Sequence, residues 1–118
     1  MKFSESLKKN TDFRNVYNNG TSHANRILVL YVLANHTGRN RFGISVSKKV
    51  GNSVVRHRIT RLIRESYRLH EEMFKSGLDI VAIARVSAKQ ASYQDIEKAL
   101  LSLANLHSIT IEKQMELF

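Results

Sequence analysis

The stretch Gly51-Asn52-Ser53-Val54-Val55-Arg56-His57-Arg58-Ile59-Thr60-Arg61-Leu62-Ile63-Arg64-Glu65-Ser66-Tyr67-Arg68 lies between two short apolar runs, Phe42-Gly43-Ile44-Ser45-Val46 and Leu78-Asp79-Ile80-Val81-Ala82-Ile83-Ala84. Asn52 and Ser53 follow a turn glycine and can accept hydrogen bonds from the free amides of a helix start. At about 100° per residue, Val55, Ile59, Leu62, Ile63, Ser66, His70, Met73 and Phe74 fall within about 60° of the direction of Ile59. The segment therefore reads as a helix to about Phe74 with one apolar stripe. Phe42, Ile44 and Val46 alternate with Arg41, Gly43, Ser45 and Ser47, the period of a half-buried strand with one small, polar face. Strand, long helix and strand in that order predict a crossover joining two parallel strands.

Outward from this unit, Thr11 or Asp12 can cap a short helix carrying Phe13, Val16 and Tyr17, with Gly20 as its stop. Phe13 and Tyr17, four apart, share a helix face, which either packs on the core or stands in a groove. Ile27 to Leu33 reads as a central strand, and His36-Thr37-Gly38-Arg39-Asn40 as a turn. Ser92 with Asp95 forms a capping-box pattern that opens a last helix bearing Ile96, Ala99, Leu100, Leu103 and Ala104 on one side. Residues 1–118 are expected to form a single domain, with 108–118 a tail of unassigned structure.

The chain has 118 residues, 42% of them apolar, and no cysteine, proline or tryptophan. That length suffices for one core but not for two. The longest apolar run, Ile27 to Ala34, is far shorter than the ~20 residues of a membrane helix. The start, Met1-Lys2-Phe3-Ser4-Glu5-Ser6, has no apolar secretory stretch, so a cytoplasmic location is expected. Lack of cysteine removes disulfides, thiolate nucleophiles and thiolate metal sites.

The net charge is +9. Residues 39–68 hold nine of the basic side chains, Arg39, Arg41, Lys48, Lys49, Arg56, Arg58, Arg61, Arg64 and Arg68, against one acid, Glu65. Residues 69–118 are net acidic by two. On the long helix Arg61, Arg64 and Arg68 fall within about 40° of the direction of His57, roughly opposite the apolar stripe, with Arg56 and Arg58 to either side. Solvated faces usually mix signs for i,i+4 pairing, and like charges at a helix N-terminus oppose its dipole. All the helix's cations are arginines, whose planar fork matches phosphate oxygens. Nucleic acid is the partner this pattern fits, against the plainer reading of a soluble basic face.

Catalysis by protein groups is not evident. His57 and His70 are thirteen apart, about 220° around the helix, so they cannot flank one phosphate. His23, His36 and His107 are scattered over expected loops and the last helix end. Asp79, Asp95 and Glu97 form no two-metal pattern, and no phosphate-cradling glycine loop occurs. No catalytic residue and no metal ligand is assigned.

The run Lys48-Lys49-Val50-Gly51-Asn52-Ser53-Val54-Val55-Arg56-His57-Arg58-Ile59-Thr60-Arg61-Leu62-Ile63-Arg64-Glu65 resembles the signature of the bacterial ribonuclease P protein subunit. The likeness extends to Lys8-Lys9-Asn10-Thr11-Asp12-Phe13 through Tyr17 and Gly20, to Ala24-Asn25-Arg26, to Gly43-Ile44-Ser45-Val46-Ser47 and, more weakly, to Ile83-Ala84-Arg85. His57 stands where the family has Asn between two arginines, and Thr60 where it usually has Lys.

The resemblance implies an α/β sandwich of the α+β class, with a four-stranded mixed sheet and three helices. It would be akin to the second domain of ribosomal protein S5, with a left-handed strand-helix-strand crossover. It implies an RNA-binding subunit that helps a catalytic RNA remove the 5′ leader from precursor tRNA, binding the leader and improving substrate and magnesium affinity. Magnesium would be bound mainly by that RNA, which holds the catalytic centre. Carried over, Arg56, His57, Arg58, Arg61 and Arg64 would hold the catalytic RNA, with Lys48, Lys49 and Arg68 in the same region. Phe13, Tyr17, Val29, Tyr31 and Ser45 would line the leader cleft. The implied partners are the catalytic RNA and precursor tRNA, with no membrane and no obligate protein partner. A structural RNA binder of the ribosomal type would share the basic face without a leader preference, and a self-sufficient nuclease would need a catalytic pair.

Overall fold

The computed structural model describes residues 1–111. Its elements in order are β1 (Ser4–Ser6), α1 (Asn10–Asn19), β2 (Thr21–Ala24), β3 (Leu28–Ala34), β4 (Asn40–Ser45), α2 (Ser53–His70), β5 (Leu78–Ala84) and α3 (Tyr93–Leu106). Short 3-10 turns follow α2 (Glu71–Met73) and β5 (Val86–Gln90). One mixed sheet has the order β1-β4-β5-β3-β2. The expected crossover is present: β4 and β5 pair in parallel with α2 between them, while β3 lies antiparallel to β5.

Alternation along the strands sorts the side chains to two faces. Leu28, Leu30, Val32, Phe42, Ile80 and Ala82 join Ile59, Ile63 and Tyr67 of α2 and Ile96, Leu100 and Leu103 of α3 in the main core. On the other face Val81 packs with Val16 of α1 and Leu7, flanked by Phe13, Tyr17, Tyr31, Leu33 and Ile83. The helices are thus split, two on one face and one on the other, which leaves part of α1's face of the sheet open.

The sheet has five strands where four were expected. The extra edge strand, β1, pairs in parallel with β4 over three residues, Ser-Glu-Ser, too short and too polar to carry an alternating pattern. It is held from outside the sheet. The buried Glu71 carboxylate accepts hydrogen bonds from the amides of Lys2 (2.6 Å) and Phe3 (3.3 Å) and from the Ser4 hydroxyl (2.9 Å), and Ser4 also meets the Tyr67 hydroxyl at 2.7 Å.

Helix ends differ locally from expectation. Neither Thr11 nor Asp12 caps α1. Its N-cap is Lys9, without a side-chain bond, and Asp12 is drawn instead toward Arg41. Helix α2 stops at His70, because the chain tightens into the 3-10 turn, so Met73 leaves the apolar stripe and is exposed while Phe74 stays buried. Tyr67, about 80° from Ile59 and outside the expected stripe, is fully buried and stacks on Phe42 with ring centroids 4.1 Å apart. The capping box of α3 forms as read, with Ser92 Oγ accepting from the Asp95 amide and Asp95 accepting from the Ser92 amide. Of the unassigned tail, Ser108 turns with φ of 59°, Ile109 is buried, and Thr110 bridges antiparallel to Phe74. Residues 112–118 lie outside the described residues.

Candidate nucleic-acid interface

Helix α2 presents the cations. Asn52 Oδ1 accepts from the Val55 amide at 3.0 Å, which starts the helix and fixes the direction of the first turn. His57, Arg61 and Arg64 are exposed, as are Lys48 and Lys49 just before the helix. Among the described residues none of these five, nor Arg56, forms an ion pair. Arg56 Nε is buried and finds no acceptor, so this guanidinium carries unused hydrogen-bonding capacity at the helix start.

Two arginines of the expected set are engaged within the fold. Arg58 donates to two backbone carbonyls beyond β5, Lys89 at 3.3 Å and Ala91 at 2.6 Å, which ties α2 to the chain leading into α3. Arg68 pairs with Glu65 at 2.6 Å one turn away, holding the Glu65 carboxyl below its usual range. Thr60, where the resembled family has Lys, turns its hydroxyl back onto the Arg56 carbonyl at 2.8 Å and offers no charge.

On the opposite face of the sheet, register aligns the small residues of β4 with β5 and β3: Gly43 with Val81 and Tyr31, Ser45 with Ile83 and Val29. Helix α1 crosses above this row. A groove of about 360 Å³ is lined by Asn10, Phe13, Arg14, Tyr17, Ile44 and Ser45. Phe13 and Tyr17 rings lie 6.3 Å apart, and Tyr31 meets Tyr17 edge-on at 5.1 Å. Val29 and Tyr31 are half-buried on the same face. Of the five residues expected to line a cleft, Phe13, Tyr17 and Ser45 line this groove, Tyr31 touches it through Tyr17, and Val29 is not among its lining residues. Burial pushes the Tyr17 hydroxyl upward in pKa, partly offset by its hydrogen bond with Ser45. Asn10, Arg14 and Ile44 were not singled out from sequence. The signal for the first two was spacing, since Asn10 and Arg14 are four apart, one step from Phe13 and Tyr17.

Below the groove, Asp79 is buried and receives Arg41 through Nε (2.8 Å) and NH2 (2.6 Å) and Asn35 Nδ2 (2.9 Å), while Arg41 also reaches Asp12 of α1 at 3.3 Å. Burial works to raise the Asp79 pKa, but these donors and the Arg41 charge outweigh it and leave the carboxyl low. His57 is exposed on α2's cationic side, whereas His70 is half-buried against Glu97 at 2.7 Å. His23 lies in β2 rather than in a loop, edge-on to His107 at 4.6 Å, and His107 Nε2 meets the Leu30 carbonyl at 2.8 Å. Among the described residues no group of three or more His, Asp or Glu could hold a metal ion.

Split helices over a mixed sheet, an arginine row with Glu65 as its single carboxylate and an aromatic groove on the other face define a class of small basic α+β proteins with two distinct surfaces. The comparisons narrow the class. The family described as Ribonuclease P matches residues 1–107. The ribonuclease P protein component of Lachnoclostridium phytofermentans is 61% identical over 106 residues, covering 90% of this chain and 91% of the relative. That of Clostridioides difficile is 52% identical over 106 residues, covering 89% and 93%. The RNase P protein of Staphylococcus aureus superposes with a TM-score of 0.84 at 38% identity, covering 92% of this chain and 99% of that one. The Thermotoga maritima protein does so at 0.80 and 27%, covering 92% and 99%. The chain belongs to the ribonuclease P protein family.

Proposed function

We propose that this chain is the RNA-binding subunit of ribonuclease P, assisting a catalytic RNA in endonucleolytic removal of the 5′ leader from precursor tRNA. Family membership makes it the protein component of a tRNA-processing endoribonuclease, associated with ribonuclease P RNA. The observation that supports the finer reading is the pairing of two surfaces: the unopposed row Arg56, His57, Arg61 and Arg64 with Lys48 and Lys49, and, on the other face of the sheet, the groove lined by Phe13, Tyr17 and Ser45 with Tyr31 against Tyr17.

The cationic row suits phosphates of a folded RNA, which is recognised by backbone and shape. Arg58 and Arg68, held by carbonyls and by Glu65, add charge to that surface more than direct contacts. The groove suits an extended strand whose bases stack on Phe13 and Tyr17. Scission belongs to the RNA in this reading. Magnesium, in this reading, is held mainly by that RNA. A cytoplasmic location is part of the proposal; no helix among the described residues is long and apolar enough to cross a membrane.

Incubation of the purified protein with precursor tRNA, with and without the cognate catalytic RNA, tests the proposal. The expected outcome is cleavage only with the RNA present, at lower substrate concentration when the protein is added. Cleavage by the protein alone overturns it, and so does an RNA reaction that the protein leaves unchanged. Replacing Arg61 and Arg64 together by Ala is expected to flatten the slope of log affinity against log salt by about one to two units.

A further inference from the structure

Residues 69–118 carry more acid than base, which on the sequence alone marks them as an unlikely surface for RNA. The fold ties several of these carboxylates into its own hydrogen bonds. Glu71 is buried and holds the chain start, Asp79 is buried beneath Arg41, and Glu97 binds His70. Asp95 accepts from the Ser92 amide at 3.0 Å in the α3 capping box. The cations nearby outnumber the exposed carboxylate they face: Arg26 and Lys98 lie near Asp95, and Arg26, Arg85, Lys89 and Lys98 are all exposed, with no ion pair within 4 Å among the described residues.

Their neighbours join them into one surface. Arg26 and Lys98 line one hollow of about 270 Å³ with Asp95, between the β2–β3 connection and α3, and no aromatic ring lines it. Arg85 donates to the carbonyl of Asn25 at 2.8 Å, next to Arg26. The Lys89 carbonyl accepts from Arg58 of α2, which brings the segment after β5 against the arginine helix. Four cations from three separate stretches of sequence are thereby linked, Arg26, Arg85 and Lys98 around the β2–β3 connection and Lys89 next to Arg58 of α2.

We propose that Arg26, Arg85, Lys89 and Lys98 form a second cationic surface, continuous with the α2 row across Arg58, that binds the sugar-phosphate backbone of the same catalytic RNA. The inference rests on the RNA-binding reading above and enlarges its footprint. A surface of long cations without a stacking ring suits phosphates held by shape and charge, whereas an extruded single strand needs the aromatic groove. The ligand is therefore the folded catalytic RNA and not the leader.

The test measures affinity of the full chain for its cognate catalytic RNA, without tRNA, over a range of salt. The triple variant Arg26→Ala, Lys89→Ala, Lys98→Ala leaves the Arg85 and Arg58 hydrogen bonds in place and removes only exposed side chains. Each phosphate neutralised contributes about 0.7 to 0.9 to the slope, so the triple variant is expected to flatten it by about two units. Thermal unfolding of the free protein serves as a fold control, and Lys89→Glu with Lys98→Glu, expected to weaken binding at least tenfold at low salt, gives a second readout. An unchanged slope in the triple variant, alongside a flattened slope in the Arg61→Ala, Arg64→Ala protein, overturns the second surface and leaves the first intact. Unchanged slopes in both overturn the RNA-binding reading itself. Loss of precursor tRNA binding with full retention of catalytic RNA binding also overturns the inference, because the surface would then belong to the substrate.

Discussion

A Cβ placed on Gly43 would stand 2.7 Å from Phe13 Cζ and 3.1 Å from Leu7 Cβ, so the Phe13 ring rests directly on the β4 backbone. Gly43→Ala is expected to push that ring outward at a cost of about 1–3 kcal/mol, the range for overpacking. It should lower affinity for precursor tRNA while sparing mature tRNA. Phe13→Ala or Tyr17→Ala should show the same selectivity, with a loss of about 1–3 kcal/mol if one base stacks there. Equal losses on both RNAs, read from paired binding curves, would return these rings to the role of core anchors. The i,i+4 spacing made the Phe13–Tyr17 pair legible in the sequence, and strand alternation put Ser45 on a small, polar face. The partners of Arg58 were not legible, because the carbonyls of Lys89 and Ala91 lie 31 and 33 residues away and carbonyls leave no mark in a sequence. Arg58→Ala removes charged donors from both, each worth up to ~1.5–3 kcal/mol and less where solvent reaches. The melting temperature of the free protein is expected to fall, with partial recovery in Arg58→Lys.

At the scale of elements, the groove depends on how α1 is held over the sheet. The tie is the chain Asp12–Arg41–Asp79, which joins α1 to β4 and β5. Asp79 sits in β5 between apolar neighbours, and no local pattern marks its partner, since Arg41 precedes it by 38 residues. Asp12 was read as a cap because an acid near a helix start ordinarily fills that place; Arg41 took it instead. Asp79→Asn keeps the shape but removes the charge, and should destabilise the fold by less than the ~3–5 kcal/mol of a fully buried pair. Arg41 stays partly in water and keeps Asp12. The folded-state pKa of Asp79 is depressed, so its contribution is fully present above the unfolded value of ~3.9 and is lost as pH falls through the lower folded value. The wild-type protein is therefore expected to lose stability more steeply below about pH 4 than Asp79→Asn, as read from denaturant midpoints at several pH values. Parallel curves would show that the ion chain does not hold α1. At the far end of the sheet the sign is the same by another route. Burial lowers the His107 pKa despite its bond to Leu30, so the unfolded chain takes up that proton first, and His107→Gln should remove a stability loss that begins near pH 6.5.

For the whole molecule, the strand-helix-strand order and the arginine row could be read directly, since both are periodic patterns within one stretch of chain. What escaped were features assembled from distant stretches: the short β1 strand pinned by Glu71, the burial of Tyr67 against Phe42, and the engagement of three acids, Glu71, Asp79 and Glu97, with partners far away in the chain. With those acids engaged, the net charge of +9 stands largely on exposed cations, and their mutual repulsion opposes folding in the absence of an anion. A polyanion that binds the folded chain and not the unfolded one stabilises it by mass action, about 2.7 kcal/mol at a hundred times its dissociation constant. For a chain of this size that corresponds to a rise in melting temperature of roughly 8–12 °C. The rise is expected with the cognate catalytic RNA at low salt, is expected to shrink in the Arg61→Ala, Arg64→Ala protein at the same RNA concentration, and is expected to vanish at molar salt, where counterions replace the phosphates. A melting temperature indifferent to RNA at low salt would mean that the cations repel one another without a ligand to relieve them, and the two-surface arrangement would lose its physical reason.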